Sequence, residues 1–312
     1  MKKVFDRISR RTFMGAGAAA SAASIAGLTC HAPVADAATN PPKIRVSILS
    51  YSFRGLLKDG KMDVFSYIES CRYRYGLDAA DIWNSFLAST EESYLKKIRE
   101  ALDEREMTLA DLCTDGTYVW DDKPEAREKN HQNALRHLKA AEILGARFMR
   151  MDSGGTAESW TGEQFDHIVK RYKEYARWAH DRGFKVGAEN HWGAEKSWAN
   201  LKKLHRAVDH PGFGLSIHVY DSWAGTPEEK DAADREVAPW VSHTHLDFNL
   251  TTGPRLEEKL ANLWNAGYTG YYSVEHHSGN NEYTEVAMQL ANVRRVLEQL
   301  RTGQSQFLKR TA

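Results

Sequence analysis

Two glutamates and two histidines stand at the ends of four successive apolar runs. Phe184-Lys185-Val186-Gly187-Ala188 leads into Glu189, and Gly214-Leu215-Ser216-Ile217 leads into His218. Val241-Ser242-His243-Thr244 precedes His245, and Tyr271-Tyr272-Ser273-Val274 precedes Glu275. A carboxylate buried at the end of an apolar run is costly unless a cation or hydrogen bonds satisfy it. One such group alone is often a satisfied core residue. Four on neighbouring runs make a mixed oxygen and nitrogen set suited to a divalent transition metal. Glu189, His218, His245 and Glu275 are therefore the expected metal ligands.

Other polar side chains fall close to that set. Arg150 and Asp152 share one face of an earlier run, and His191, Asp247 and His277 lie just beyond the proposed ligands. Of nine tryptophans, Trp83, Trp120, Trp160, Trp192 and Trp223 sit at or shortly after the ends of apolar runs. Indole rings make platforms for the apolar face of a sugar, which a few polar anchors then orient. Trp83, Arg150, Asp152, His191, Trp192, Trp223, Asp247 and His277 are accordingly assigned to a substrate pocket. Neither a Gly-rich phosphate cradle nor an Arg/Lys cluster follows the last two runs, which favours a neutral sugar or glycoside over a sugar phosphate.

The elements that must position these residues alternate regularly from Lys43 onward. Strands are expected at 44–50, 78–83, 108–113, 147–152, 184–190, 213–219, 241–247 and 270–276. Helices are expected at 91–106, 125–144, 161–182 and 283–301, the third opening on a Thr161-x-x-Gln164 capping box. Gly76, Gly145, Gly183 and Gly267 each follow a helical stretch and precede a strand, where a left-handed glycine stops a helix. Unbroken strand–helix alternation without a linker predicts a single α/β domain, a (β/α)₈ TIM barrel. The competing doubly wound sheet would want Gly-x-Gly-x-x-Gly after its first strand, and none is present. In a barrel the ends of the strands carry the active site, as the four candidate ligands require.

Three segments then carry a resemblance. Gly187-Ala188-Glu189-Asn190-His191, His243-Thr244-His245 and Gly270-Tyr271-Tyr272-Ser273-Val274-Glu275 resemble the fifth, seventh and eighth strands of the xylose isomerase-like sugar isomerase/epimerase superfamily. Ser50-Tyr51-Ser52-Phe53 and the Gly76–Trp83 stretch resemble its first two. The similarity runs over most of residues 44–300. It implies a Glu, Asp, His, Glu set holding Mn²⁺, Co²⁺ or a similar ion, which Glu189, His245 and Glu275 match directly. The Asp position is His218 here, with Asp221 three residues later as the alternative ligand. With His218 the set is formally neutral and disfavours Mg²⁺ and Ca²⁺, leaving Mn²⁺ first and Zn²⁺, Co²⁺ or Fe²⁺ behind it.

The resemblance implies an isomerase or epimerase in which Glu189 and Glu275 remove and return a proton through an enediolate. The same site would serve a lyase or hydratase acting on a 3-keto-glycoside. A non-catalytic sugar-binding barrel is a third reading. An apurinic-site endonuclease would need further histidines on strands two and three, where Trp83-Asn84 and Cys113-Thr114-Asp115 supply none.

The first 37 residues read as a processing segment. Ser9-Arg10-Arg11-Thr12-Phe13-Met14 resembles a twin-arginine export motif, a weakly apolar run follows to Leu28, and Ala35-Asp36-Ala37 sets cleavage before Ala38. The barrel then spans 38–312, in the periplasm or secreted, with no stable membrane anchor because the apolar run is too short. Cys30 follows Gly27-Leu28-Thr29, a poor lipobox, and Cys71 and Cys113 are expected in the core. Basic and acidic residues number 42 each, so no field exists to attract nucleic acid. The expected partner is a small carbohydrate, and homo-oligomerisation is compatible with the chain.

Overall fold

The computed structural model describes residues 43–309. The twin-arginine motif, the cleavage position before Ala38 and Cys30 lie outside the described residues. Eight strands form one all-parallel sheet in the order β1-β8-β7-β6-β5-β4-β3-β2. They are β1 (Val46–Ile48), β2 (Ala79–Trp83), β3 (Thr108–Thr114), β4 (Phe148–Met151), β5 (Lys185–Glu189), β6 (Phe213–His218), β7 (Val241–Asp247) and β8 (Tyr272–Glu275). An isolated parallel bridge between Leu49 and Asp81 joins the first and last strands of that order, so the sheet closes on itself as a nearly complete barrel.

Among the described residues ten α-helices accompany the strands: α1 (Arg54–Lys58), α2 (Val64–Glu69), α3 (Glu92–Glu104), α4 (Pro124–Leu144), α5 (Gly162–His180), α6 (Trp198–Val208), α7 (Pro227–Val237), α8 (Phe248–Thr252), α9 (Leu256–Asn265) and α10 (Glu282–Arg301). Their limits follow local chemistry. Thr161 caps α5 and Gln164 returns the bond, while Thr226 and Glu229 do the same for α7. Gly145 ends α4 at φ +67°, and Gly76, Gly183 and Gly267 are also left-handed, as expected of helix stops. None of the described helices is long and apolar enough to cross a membrane.

Both faces of every strand are covered, yet the strands do not read as uniform apolar runs. Ile48, Ile82, Leu112, Val186, Ile217 and Val274 are fully buried and apolar. Between them Ser47, Asp81, Asp111, Glu189, Ser216, His243, His245 and Ser273 are also buried, and they meet one another across the barrel. Period-two alternation thus separates an apolar face under the helices from a polar interior.

Two local features set the height of the site. The β6–β7 register shifts so that Leu215 faces Val241 while Ser216 faces His243, passing over Ser242 and placing His218 opposite His245. Beside it Gly187 faces Gly214 across β5 and β6, and a Cβ on Gly187 would collide with the Gly214 carbonyl. That close approach brings Glu189, two residues on and on the same face, against the end of β6.

Candidate metal centre

Glu189, His218, His245 and Glu275 come together at the C-terminal end of the barrel. His245 Nδ1 lies 2.6 Å from Glu189 Oε1 and 3.8 Å from Glu275 Oε2. His218 Nε2 lies 3.7 Å from Glu189 Oε1 and 3.3 Å from Glu275 Oε2. Two ligands each about 2.0–2.3 Å from one ion stand roughly 3–4 Å apart, so most of these separations suit a shared cation. All four residues are at least 96% buried. Glu189 Oε2 and Glu275 Oε2 have no hydrogen-bond partner in the protein, a costly state for buried carboxylates unless a cation satisfies them.

Each imidazole directs one nitrogen at this centre and the other at a carboxylate. His218 Nδ1 is 3.5 Å from Asp247 Oδ1, and His245 Nε2 is 3.9 Å from Asp111 Oδ2. A carboxylate facing the far nitrogen favours a proton on that side and leaves the near lone pair free for a metal. The residues present therefore fit a divalent ion. Asp221 lies past the end of β6 on the exposed rim and joins none of the converging ligand atoms. Of the two alternatives, His218 is the one whose ring nitrogen lies beside Glu189 and Glu275.

Electrostatics keep both glutamates charged. Burial alone would raise the Glu275 carboxyl, but His218, a hydrogen bond from His277 and His245 outweigh it and bring the pKa to about 2. Glu189 is likewise held well below the usual carboxylate range, its burial offset by His245, His218 and Arg150. For His218 burial acts downward, while Glu275, Glu189 and Asp247 push the pKa up to about 10. His277 reaches about 9, since hydrogen bonds to Asp247 and Glu275 overcome its own desolvation. Without a cation, protons on these imidazoles neutralise the carboxylates; a bound ion would take their place.

The expected pocket residues divide into four groups. His191 and His277 stand at the mouth, His191 Nδ1 3.5 Å from Glu189 Oε2 and His277 Nε2 3.3 Å from Glu275 Oε1. Asp247 bridges His218 and His277, the latter at 3.1 Å. Trp83 is half-buried, packing edge-on against Tyr51 with its indole N–H on Asp115, whereas Trp192 is 52% exposed.

The remaining three require correction. Trp223 is 2% exposed and donates its indole N–H to buried Asp234 at 2.8 Å, so it belongs to the core and not to a sugar-binding wall. Arg150 is buried with its donors consumed by Asp152, Asp115, Thr114 and Cys113, which leaves none for substrate. Its Nε lies 3.4 Å from Glu189 Oε2, so Arg150 braces a ligand. Asp152 is fully buried against Arg150 and reaches the mouth only through His191, 3.7 Å away. Cys113 is buried as expected but also accepts from Arg150.

A second polar layer lies beneath the centre; its Asp81 and His243 stand at positions the sequence marks on strands two and seven, and its Asp111 escaped sequence reasoning. His243 Nε2 lies 3.2 Å from Asp81 Oδ2, which also accepts from Ser47 and Ser273. Asp111 accepts the Arg150 N–H at 3.0 Å, and burial pushes its carboxyl up to about 6 against the pull of His243 and His245. Its only signal in the sequence is one acidic residue inside the apolar run Leu109-Ala110-Asp111-Leu112. A concavity of about 820 Å³ lies at the other end of the barrel around Arg45, Arg147 and Lys185, and holds none of these groups.

Comparison with known proteins agrees with this architecture. A family model described as a xylose isomerase-like TIM barrel matches residues 73–301. No curated protein matches the chain. Among solved structures, a xylose isomerase-like TIM barrel protein from Mycobacterium smegmatis in complex with magnesium has a TM-score of 0.66 at 15% identity, covering 84% of this chain and 98% of that one. D-psicose 3-epimerase from Clostridium cellulolyticum H10 gives 0.64 at 14% identity, with 84% and 100% covered. The 3-keto-D-glucoside 4-epimerase of E. coli gives 0.62 at 16%, with 81% and 100% covered. At such identities the likeness shows the fold.

Proposed function

The chain belongs to the xylose isomerase-like TIM barrel family, and from that premise we propose that it is a metal-dependent isomerase or epimerase of a neutral sugar or keto-sugar. The observation that carries this reading is the convergence of Glu189, His218, His245 and Glu275, with buried carboxylate oxygens left without a hydrogen bond. Mn²⁺ is the expected ion, with Zn²⁺, Co²⁺ or Fe²⁺ as alternatives, since two imidazoles disfavour harder cations. A divalent ion there would bind a carbonyl and a neighbouring hydroxyl oxygen and acidify the C–H beside them.

The protein's own groups do the rest. The strands that carry Glu189 and Glu275 flank the two that carry the imidazoles, and on this reading one glutamate takes the carbon-bound proton and the other returns it. Arg150 holds Glu189 ionised from beneath, and His277 offers Glu275 a proton path to the half-exposed rim. His191 and Trp192 face the incoming sugar. Loaded with Mn²⁺ and incubated in D₂O with keto- and aldo-sugars, the protein should incorporate deuterium beside the carbonyl of at least one of them. Tight metal binding without exchange into any of them would leave a non-catalytic sugar-binding barrel.

A second reading keeps the site and changes the reaction to β-elimination from a 3-keto-glycoside. The cavity beside Trp192, about 580 Å³ beyond the centre, favours it because a free monosaccharide leaves that space unused. The export segment belongs to the same proposal: a periplasmic barrel meeting extracellular carbohydrate. Replacing Arg10 and Arg11 with Lys should leave unprocessed precursor in the cytoplasm, and normal export of that double variant would refute the twin-arginine assignment.

A further inference from the structure

We infer that the barrel mouth continues from the metal centre into a second subsite, walled by Tyr118 and Trp192, that takes the second ring of a disaccharide or aryl glycoside. The inference rests on the sugar reading above and specifies its substrate class.

The connection is short. Trp192 follows His191 directly, and their ring centroids are 4.4 Å apart. His191 stacks in turn on His218 at 5.2 Å and stands 3.5 Å from Glu189. A ligand on the centre and a ligand on Trp192 would therefore be separated by about one ring. The cavity around Trp192 measures about 580 Å³ and is lined by Tyr118, Trp120, Gly154, Gly155, Trp192 and Lys196 among others. That volume already falls in the range of roughly 300–1,000 Å³ typical of small-molecule sites.

Its shape suits a flat, hydroxylated ring. The floor is glycine backbone: Gly154, Gly155 and Gly193 are all left-handed. A Cβ on Gly154 would collide with the Trp120 carbonyl, and one on Gly193 would come within 2.8 Å of the Gly155 carbonyl. No side chain rises between the aromatic walls from those positions. The three loops that meet there are tied together beforehand. Trp120 N–H donates to Ser153 O at 2.7 Å, Ser153 N–H donates to buried Glu195 at 2.8 Å, and Asn200 donates to Glu158 O at 3.1 Å. A preformed wall loses little freedom on binding.

The charge at the rim argues against a phosphate. Lys196 is the single cation of the lining, and Asp121 and Asp122 stand with it. Aromatic faces with a few polar groups at the edge fit the two chemical surfaces of a pyranose. A ring joined through its anomeric carbon cannot open. The carbonyl needed at the centre therefore belongs to a free reducing end or to an oxidised ring carbon of the bound glycoside.

The test is calorimetric titration of the Mn²⁺-loaded full chain with matched pairs: glucose and cellobiose, galactose and lactose, xylose and xylobiose, glucose and phenyl glucoside. At least one two-ring ligand should bind about tenfold tighter than its single-ring partner. Trp192→Ala should bring that ratio close to one, and Trp192→Phe should restore part of it, with thermal melts showing that both variants fold. Equal affinities throughout, or a preference that survives Trp192→Ala, would overturn the subsite. If the chain binds Mn²⁺ but no sugar of either size, the sugar reading itself falls and the subsite with it. If single rings bind and second rings add nothing, the subsite alone falls.

Discussion

Glu275→Gln is expected to reduce turnover by about 10²–10⁴-fold and to strip the protein of most of its bound metal at micromolar ion concentrations. The amide keeps the size of the side chain but removes a negative charge and a basic oxygen together. Glu275 Oε2 stands 3.3 Å from His218 Nε2 and 3.8 Å from His245 Nδ1, so the lost charge is felt at the point where the ligands meet. The loss also removes one of the carboxylates that balance His218 and His277, leaving Asp247 between them. Metal content by mass spectrometry and deuterium exchange into substrate check the two effects separately. Asp111→Asn and Asp247→Asn act one step further out, on the far nitrogens of His245 and His218. Each should weaken metal binding about 10–100-fold while leaving the base in place. Full metal occupancy and full exchange in Glu275→Gln would remove Glu275 from the site.

Asp234→Ala is expected to destabilise the fold by about 3–5 kcal/mol, although Asp234 touches no candidate ligand. Its carboxylate is buried and satisfies three donors: Lys259 Nζ at 2.6 Å, the Trp223 indole N–H at 2.8 Å and the Tyr220 N–H at 3.1 Å. Lys259 is itself fully buried, so truncation leaves an ammonium with Asp231 as its remaining carboxylate partner. Tyr220 is a non-glycine residue at φ +70°, a conformation that costs energy unless its surroundings hold it. With a fall in melting temperature of roughly 2–4 °C per kcal/mol for a domain of about this size, thermal denaturation should report a drop on the order of 10 °C. Because Tyr220 follows the end of β6 by two residues, the variant should also lose metal affinity through misplaced His218. A stable Asp234→Ala protein with unchanged metal binding would show that this clamp is incidental. The same contact explains why Trp223 is in the core: its indole N–H completes a buried ion-pair network, an ordinary role for a tryptophan near a strand end.

Much of this molecule is legible along the chain because its barrel repeats one local rule. Each strand is a short run of alternating character, α2, α4, α5 and α7 begin at a cap or proline, glycines stand between several helices and the strands that follow, and a closed parallel barrel follows from that order. The candidate ligands are legible for the same reason. Glu189, His218, His245 and Glu275 are polar residues at the ends of runs that must be buried, and burial makes such residues conspicuous.

Side-chain direction and solvent access are different matters, because they depend on neighbours far away in the chain. Trp192 and Trp223 both follow strand ends and look alike in sequence; one is half-exposed at the mouth and the other is sealed by Asp234. Arg150 reads as a substrate anchor until Cys113, Thr114 and Asp152 are seen to use its donors. Asp111 reads as an oddity of an apolar strand until His245 from the opposite side of the barrel turns toward it. Composition, alternation and helix stops therefore determined the barrel and the strand ends on which chemistry could sit. Only the closure of the sheet decided which polar atoms face one another, since pairing across a barrel depends on register and stagger that no single strand encodes.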